Sequence, residues 1–443
     1  MTSLLIRNAV VLTFDAKAPV LYDHAVLIEG TKIKKIAPDS EFADFKGKTI
    51  NARGRIVMPG YINAHMHYYS TMVRGLGKAE PASNFMGVLE NLWWRLDKKL
   101  TLEDSYYSAL IPMIDAVKNG TTTLIDHHAS PFAVTGSLDV IAKAGKEVGL
   151  RNCLCYEVSD RDGEKIAEEG LAENEAFIKR CEEENDDMLR ALYGLHASFT
   201  VSDKTLQKAV DFVKAHNTGF HVHTAEAADD EEACLKEHNK RVVERFYDMG
   251  VLGKKTICPH CVHINDHEMD LLAQTDTMVV HNPQSNLNNT VGIADVIKMQ
   301  QKGILVGLGT DAMTVNMREE LRCGLWAQKY GHKDPACGFM EIASTIAFNN
   351  AKIVGRLWEG FGIGTLKEGA AADLIILDYL APTPLDETTW LGHLIFGFAN
   401  VPVDTTVVNG KVLMENKELK LDIDVERAYA RSRELSEKLW NRF

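Results

Sequence analysis

The 443-residue sequence predicts an α/β protein: a (β/α)8, TIM-like barrel with a small β-sandwich domain built from both ends of the chain. Short apolar segments alternate with amphipathic segments through the middle of the chain, as in a parallel sheet flanked by helices. Both ends instead alternate apolar and polar residues with period two. An open doubly wound sheet is the alternative, but its expected G-x-G-x-x-G turn is missing.

The predicted barrel strands are eight short runs rich in β-branched and other apolar residues. Each is typical of a strand buried on both faces. They cover residues 56–65, 121–128, 151–158, 189–197, 219–225, 255–262, 276–283 and 304–311. The segments between them carry helix signals, such as the Thr cap and acidic first turn at Thr101 and the stop at Gly120.

The period-two pattern sets the predicted domain organisation. Residues 1–57 and 361–420 read as strands joined by NG and EG turns, and they predict one composite β-sandwich domain. Residues 58–360 form the predicted barrel, and residues 421–443 form a C-terminal helix.

Composition excludes several classes of partner. The net charge of −13 argues against a nucleic-acid partner, which needs a basic surface. The N-terminus resembles no signal peptide, and no segment has the roughly 18 apolar residues of a membrane helix. Eight scattered cysteines indicate reduced thiols in a cytoplasmic enzyme. The Cys258-x-x-Cys261 pair has no second pair and is interpreted as core packing rather than a zinc or redox site.

Titratable residues cluster where the predicted strands end, which is where barrel enzymes place their active sites. Only the third strand lacks such a group, unless Glu157 serves. The others end in or near His65 and His67, His127 and His128, His196, His223, His260, His281 and Asp311. Core packing gives no reason for this pattern, whereas neutral imidazole is the commonest nitrogen ligand of metals.

The spacing predicts one divalent metal ion, Zn²⁺ with Fe²⁺ or Mn²⁺ as alternatives. His65 and His67 are two residues apart and point the same way, His223 comes from across the barrel, and Asp311 adds a carboxylate. Such an ion lowers the pKa of bound water to about 7. Asp311 is the candidate base, Glu226 the candidate proton relay and His260 the candidate partner of the developing charge. The alternative interpretation of Glu226 is a solvent-exposed loop residue without a catalytic role, within an acidic segment of the chain.

Several motifs resemble the amidohydrolase superfamily, in its deaminase and chlorohydrolase-like branch. They are PGYINAHMH, HVHTAE, PHCVH, HNPQSN and GLGTD, and the resemblance covers nearly the whole chain. More narrowly, LENLWWRLDKKLT, TTTLIDHHASP and LCYEVSDRDG resemble the SsnA-type aminohydrolases, which are associated with selenium-dependent and purine catabolism.

The resemblance implies a homodimeric enzyme with one catalytic metal held by His65, His67, His223 and Asp311. It also implies Glu226 as proton shuttle, His260 as transition-state partner and His196 as a substrate contact. The fourth strand end has no lysine, which favours the mononuclear arrangement. His128 and Trp94 are further candidates for substrate binding, each weighed against a structural role. The chain departs from the branch at residues 126–128 and 312–316.

Three functions follow in order of preference. The first is hydrolytic deamination of a small nitrogen heterocycle such as a purine-related compound. The second is ring opening of a cyclic amide of the imidazolone or hydantoin type, left open by the unusual residues after Asp311. The third, a non-catalytic metal-binding subunit, conflicts with the presence of Glu226, His260 and Asp311.

Overall fold

The computed structural model describes residues 3–443, which form an α/β fold with one mixed and two parallel sheets. Its strands, in chain order, are β1 (Ser3–Leu12), β2 (Val20–Glu29), β3 (Lys32–Pro38), β4 (Lys48–Asn51), β5 (Ile56–Pro59), β6 (Tyr61–Met66), β7 (Thr121–Asp126), β8 (Arg151–Leu154), β9 (Leu189–Ala191), β10 (Tyr193–Ala197), β11 (Phe220–His223), β12 (Ile257–Pro259), β13 (Met278–His281), β14 (Val306–Leu308), β15 (Leu374–Leu377), β16 (Val403–Val408), β17 (Lys411–Glu415) and β18 (Glu418–Leu419).

Helices alternate with the parallel strands along the chain. They are α1 (Phe85–Val88), α2 (Trp94–Leu96), α3 (Leu102–Asn119), α4 (Ser137–Val148), α5 (Glu164–Glu184), α6 (Asp203–Val213), α7 (Ala228–His238), α8 (Val242–Met249), α9 (Asp266–Gln274), α10 (Pro283–Asn288), α11 (Val296–Gln301), α12 (Met317–His332), α13 (Phe339–Ser344), α14 (Asn350–Leu357), α15 (Trp390–Gly392) and α16 (Val425–Arg442). Short 3₁₀ segments span Asp39–Phe42, Tyr68–Val73, Asp97–Lys99 and Ser198–Thr200, and π turns span Leu89–Trp93, Thr345–Asn349 and His393–Gly397.

The two parallel sheets follow chain order, β6-β7-β8-β9 and β10-β11-β12-β13-β14. Each of the eight predicted runs contains a strand of these sheets, although the strands are shorter than the runs. Strands β9 and β10 are separated only by Leu192, whose N–H donates to the Leu154 carbonyl over 3.1 Å. The predicted fourth run therefore crosses from one parallel sheet to the other.

The two parallel sheets contact each other at both edges. Bridges join Val158 to Leu195 and Met66 to Asp311. The buried Asn350 side-chain amide joins β6 to β14. It donates to the Ile62 carbonyl over 2.7 Å and accepts from the Leu308 N–H over 2.8 Å. Strands β6 and β14, at opposite ends of the order, are thus held side by side.

The prediction of one strand over residues 56–65 is wrong. Residues of β5 pair with β1 and β15 in the mixed sheet, and β6 begins only after Gly60. A side chain at Gly60 would place its Cβ 2.2 Å from the Thr122 side chain. Glycine therefore lets the chain step from one sheet to the other where β7 packs closely.

Both ends of the chain build the mixed sheet, as their period-two pattern predicts. Nine strands have the order β18-β17-β16-β15-β5-β1-β2-β3, with β4 pairing alongside β1. The fully buried Arg151 of β8 donates to Asp373, the residue just before β15, over 2.9 Å. This ion pair links the mixed sheet to the parallel strands.

The long helices have the ends that the sequence signals indicate. Thr101 and Asp104 form a reciprocal capping box at the start of α3, and Gly120 ends it in the left-handed conformation. The C-terminal helix α16 spans Val425–Arg442, inside the predicted range, and packs against α3. None of the helices in residues 3–443 combines the length and apolarity required to cross a bilayer.

Candidate active site

Four side chains converge where β6, β11 and β14 end. The Oδ1 atom of Asp311 lies 3.0 Å from Nε2 of His65 and 3.1 Å from Nε2 of His67. The Nε2 atoms of His67 and His223 are 3.1 Å apart. All four residues are buried. The structure therefore brings together the four residues that were predicted to bind a metal.

Backbone contacts hold Asp311 against the His-x-His segment. Its N–H donates to the His65 carbonyl over 3.0 Å, and its carbonyl accepts from the His67 N–H over 2.7 Å. Asp311 adopts a left-handed backbone with φ of 59°. A Cβ at Gly309 would meet the His65 backbone oxygen at 2.6 Å, so this approach of β14 to β6 requires glycine.

Hydrogen bonds at the far ring nitrogens orient the three histidines. Nδ1 of His67 donates to the His127 carbonyl over 2.5 Å, and Nδ1 of His223 donates to the His196 carbonyl over 2.9 Å. Nδ1 of His65 lies 2.8 Å from Nε2 of His221. In each ring Nδ1 thus has a partner, and Nε2 is the nitrogen available to a metal ion, as in metal-binding histidines.

These nitrogen and oxygen donors are of the kinds that zinc takes. Nitrogen ligands about 2.0 to 2.1 Å from zinc lie about 3.3 Å from one another, and the three spacings given above are 3.0 to 3.1 Å. The ligand atoms of His65, His223, His260 and Asp311 all lie within 4.8 Å of one another, as do those of His67, His127, Glu157 and His223. Burial lowers the pKa of His65 to about 3 and that of His223 well below its usual range, which keeps both imidazoles neutral. Burial opposes a charge on His67, but hydrogen bonding to the Asp311 carboxylate and its charge raise the His67 pKa to about 9.

Glu226 and His260 face each other beside these ligands. Oε2 of Glu226 lies 3.6 Å from Nε2 of His260, which has no hydrogen-bond partner. Burial, reinforced by the negative charge of Asp311, raises the pKa of Glu226 well above its usual range. Burial lowers the pKa of His260 to about 4. The pair can therefore hold one proton on the carboxyl group while the imidazole stays neutral.

The short helix α10 contacts all three candidate catalytic residues. Ser285 donates to Oδ2 of Asp311, the Asn286 amide donates to Nδ1 of His260 over 2.8 Å, and the Asn289 amide donates to Oε1 of Glu226 over 3.4 Å. The candidate list drawn from the sequence omitted these residues. Ser285 and Asn286 belong to the HNPQSN segment, which gives the motif but not what each side chain touches, and Asn289 lies three residues beyond it.

Glu157 is the titratable group at the end of the third predicted strand, residues 151–158. Its Oε2 accepts from Nδ1 of the buried His127 over 3.1 Å, and its Oε1 lies 3.7 Å from Nε2 of His196. Burial lowers the pKa of His196 to about 4. Sequence reasoning named His127 and Glu157 without assigning them roles, because only the fold shows that they touch.

The remaining predicted substrate contacts lie behind the cavity wall. Nε2 of His128 is 3.0 Å from the Ser130 hydroxyl in the protein interior. The Trp94 ring packs edge-on against His196 with centroids 6.2 Å apart, and its neighbour Trp93 lines the cavity. A substrate-binding role for His128 and Trp94 therefore stays a prediction.

A cavity of about 420 Å³ opens onto this cluster. His67, His223, Glu226 and Asp311 line its polar side, together with His196 and Glu157. Its apolar side includes Phe85, Leu89, Trp93 and Phe199, and the unusual residues Ala312, Met313 and Thr314 form part of the wall. Such a volume suits a small heterocycle with a substituent.

Sequence comparison finds relatives that span nearly the whole chain. A 5-methylthioadenosine/S-adenosylhomocysteine deaminase of Thermoanaerobacter pseudethanolicus is 31% identical over 433 residues, covering 96% of each chain. A 5'-deoxyadenosine deaminase of Methanosarcina acetivorans is 32% identical over 447 residues, covering 99% of each chain.

Solved structures share the fold at lower identity. An adenosine deaminase from Xanthomonas campestris with bound zinc aligns with a TM-score of 0.87 and 22% identity, covering 99% of this chain and 98% of that one. The atrazine chlorohydrolase TrzN from Arthrobacter aurescens, complexed with zinc, aligns with a TM-score of 0.83 and 22% identity, covering 98% of this chain and all of that one.

The family model described as "Amidohydrolase family" matches residues 56–413, which include every residue of the cluster. Together with relatives above 30% identity along the full chain, this match is decisive. The chain belongs to the amidohydrolase family and is a hydrolase of carbon–nitrogen bonds.

Proposed function

We propose that this protein is a metal-dependent hydrolytic deaminase of a purine-related amino heterocycle. The observation that carries the proposal is the convergence of His65, His67, His223 and Asp311 beside Glu226 and His260, at a cavity lined by His67, His223, Glu226 and Asp311. The relatives named as deaminases of 5'-deoxyadenosine and 5-methylthioadenosine support an adenine-like substrate.

His65, His67, His223 and Asp311 would hold the ion, and Zn²⁺ is the metal we propose, with Fe²⁺ or Mn²⁺ as alternatives. When bound, such an ion lowers the pKa of water to about 7 and makes a nucleophile available at neutral pH. Ser285 holds Oδ2 of Asp311, so Oδ1 remains directed at the imidazoles.

Glu226 is the proposed proton shuttle. Its raised pKa keeps a proton on the carboxyl group at neutral pH, ready for a ring nitrogen or for the departing amine. The Asn289 amide orients the carboxyl group through Oε1. Because Asn286 donates to Nδ1 of His260, the His260 proton sits on Nε2, 3.6 Å from Oε2 of Glu226, where it can stabilise developing negative charge.

A substrate contact is proposed for His196, at the cavity wall, and a role in substrate binding through His196 is proposed for Trp94, whose ring packs against it. His128 would act through the loop that follows β7 rather than by direct contact. The small-molecule substrate is a heterocycle, since the enclosed volume and the aromatic side of the cavity suit a flat ring.

Ammonia release tests the proposal. Zinc-loaded protein should release ammonia from at least one member of a panel of adenine nucleosides, free aminopurines and aminopterins. Ring opening of a cyclic amide would instead add one water and release no ammonia, so product mass separates the two reactions. Absence of ammonia across the panel, with metal content verified, would overturn the deaminase assignment.

We further propose that the two parallel sheets close into one (β/α)8 barrel, supported by the bridges at both of their edges. In this division, residues 58–360 are the barrel, residues 1–57 and 361–420 form a β-sandwich domain, and residues 421–443 form a C-terminal helix. A homodimer acting in the cytoplasm is part of the same proposal. Size-exclusion chromatography with light scattering tests the dimer.

A further inference from the structure

One carboxylate oxygen in the cavity has no partner of its own. Oε2 of Glu157 lies 3.1 Å from Nδ1 of His127, whose Nε2 lies 3.0 Å from the His221 carbonyl oxygen. These contacts fix the Glu157 side chain at the cavity wall and leave Oε1 beside His196. His127 thus positions the Glu157 carboxylate through Oε2 and makes no contact with Oε1.

His196 presents a second acceptor at the same spot. The Thr200 hydroxyl donates to the Ala197 carbonyl over 3.2 Å, so it accepts from Nδ1 of His196 over 2.6 Å. Nε2 of His196 therefore carries a lone pair. It lies 3.7 Å from Oε1 of Glu157, too far for a direct hydrogen bond. Two neighbouring acceptors without a donor between them complement a donor on a ligand.

Histidines aside, the ionisable side chains that line the cavity are mainly carboxylates. Its lining includes the carboxylates of Glu157, Glu226, Asp230 and Asp311 and contains no lysine or arginine. The Arg161 guanidinium lies over the Trp94 ring and pairs with Asp97 and Asp162. A buried charge without a partner is costly, so a phosphate group would be disfavoured here.

We propose that Oε1 of Glu157 and Nε2 of His196 form an acceptor pair that binds an N–H or O–H donor of the substrate, so that the site takes uncharged heterocycles and rejects their phosphate esters. The inference rests on the proposed function, because it concerns the substrate of the same cavity. It makes Glu157 a specificity-determining residue that does not touch the reacting carbon.

Binding to a protein with strongly reduced turnover tests the inference without relying on activity. In a zinc-loaded Glu226→Gln background, calorimetric titration compares adenosine with adenosine 5'-monophosphate, and guanosine with its monophosphate. At least one neutral nucleoside should bind about 100-fold more tightly than its phosphate ester. Adding Glu157→Gln should weaken binding of the neutral nucleoside by about tenfold or more, since a hydrogen bond to a charged acceptor is lost.

A double-mutant cycle shows whether the two acceptors serve one donor. Glu157→Gln and His196→Asn should together weaken binding by less than the product of their separate effects. Glu168→Gln, which removes an exposed carboxylate paired with Lys208, is the matched control and should change nothing. Equal affinity for a nucleoside and its phosphate, or an unchanged affinity in Glu157→Gln, overturns the inference.

Thr200→Val gives an independent route if Glu157→Gln does not fold. It removes the hydroxyl that orients His196 and leaves Glu157 in place. For whichever heterocycle releases ammonia, KM should rise several-fold while kcat and zinc content stay within about twofold. A fall in kcat with loss of zinc would assign Glu157 and His196 to holding the metal ligands instead. Failure of every heterocycle to release ammonia would reject the deaminase proposal but not the binding selectivity.

Discussion

The Nε2 atoms of His67 and His223 lie 3.1 Å apart, and the Nδ1 atom of each ring donates to a backbone carbonyl. Two Nε2 lone pairs at this distance would repel each other unless a cation or a proton lay between them. Oδ1 of Asp311 adds a negative charge 3.1 Å from Nε2 of His67. The arrangement therefore needs a positive charge, which a proton on His67 supplies and which a bound metal ion would supply in its place.

Removal of the metal should lower stability. A ligand present at 1,000 times its Kd stabilises the folded state by about 4 kcal/mol, so chelation should lower the melting temperature by several degrees. Added Zn²⁺ should restore it. His223→Asn should reduce bound metal about tenfold or more, as measured by plasma mass spectrometry. His216→Asn, at a partly exposed histidine paired with Glu182, is the control. Full metal content in His223→Asn would contradict the ligand assignment.

Glu226→Gln should lower kcat by about 10²- to 10⁴-fold, because an amide can neither hold nor deliver the proton. Zinc content and the melting temperature should stay near those of the wild type, since Glu226 binds no ion in the proposed arrangement. Glu232→Gln, at an exposed position six residues on, should keep full activity. Ammonia release at the wild-type rate from Glu226→Gln would show that another group moves the proton.

Ser285→Ala should lower the affinity of the site for its metal ion. Ser285 is the hydroxyl that donates to Oδ2 of Asp311, and groups that orient metal ligands typically contribute 10- to 100-fold in metal affinity or activity. Competition with a chromogenic chelator measures the change in affinity. Ser436→Ala, at a hydroxyl on α16 far along the chain, should show no change. If affinity and activity were both unaltered, the Ser285 contact would have no role in positioning Asp311.

The stability contributed by Asp230 should decrease as pH rises. Burial raises the pKa of Asp230 to about 7, above the unfolded value of about 3.9. The folded state thus favours the protonated form, and this contribution is complete below about pH 4 and lost as pH approaches about 7.

Asp230→Asn mimics the protonated form, so its unfolding free energy relative to wild type should grow by up to about 1.4 kcal/mol per pH unit between pH 4 and 7. Above about pH 7 the difference should level off. Urea titrations across this range measure it, with Asp229→Asn as the partly exposed control. A difference that does not vary with pH would mean that Asp230 ionises normally.

Arg151→Met should destabilise the fold by about 3 to 5 kcal/mol, because it leaves the buried Asp373 carboxylate without its partner. Arg151→Met combined with Asp373→Leu should recover part of the loss, since no unpaired charge then remains. Denaturant unfolding of the two variants gives the comparison. Arg180→Met, which removes an exposed pair with Glu184, should cost less than about 1 kcal/mol.

Local patterns in the sequence account for the parts of the fold that depend on neighbours along the chain. Apolar runs locate the parallel strands, Thr101 and Gly120 mark the ends of α3, and the spacing of His65 and His67 places both rings on one side. His223 and Asp311 follow from the rule that strand ends meet at one edge. These inferences rest on periodicity, which residue order alone expresses.

Tertiary structure decided the contacts between residues far apart in the chain, because no local sequence pattern relates the segments that carry them. Only packing shows that Gly60 must be glycine beside Thr122, which splits the first predicted strand between two sheets. Only the placement of α10 brings Ser285 onto Asp311. Likewise, Glu157 and His196 come from different strand ends, and their acceptors meet because the two parallel sheets adjoin at Val158 and Leu195. The sequence alone thus indicates which residue types form the candidate site. The hydrogen bonds that connect those residues, and the proposed acceptor pair, depend on distances that only the fold sets.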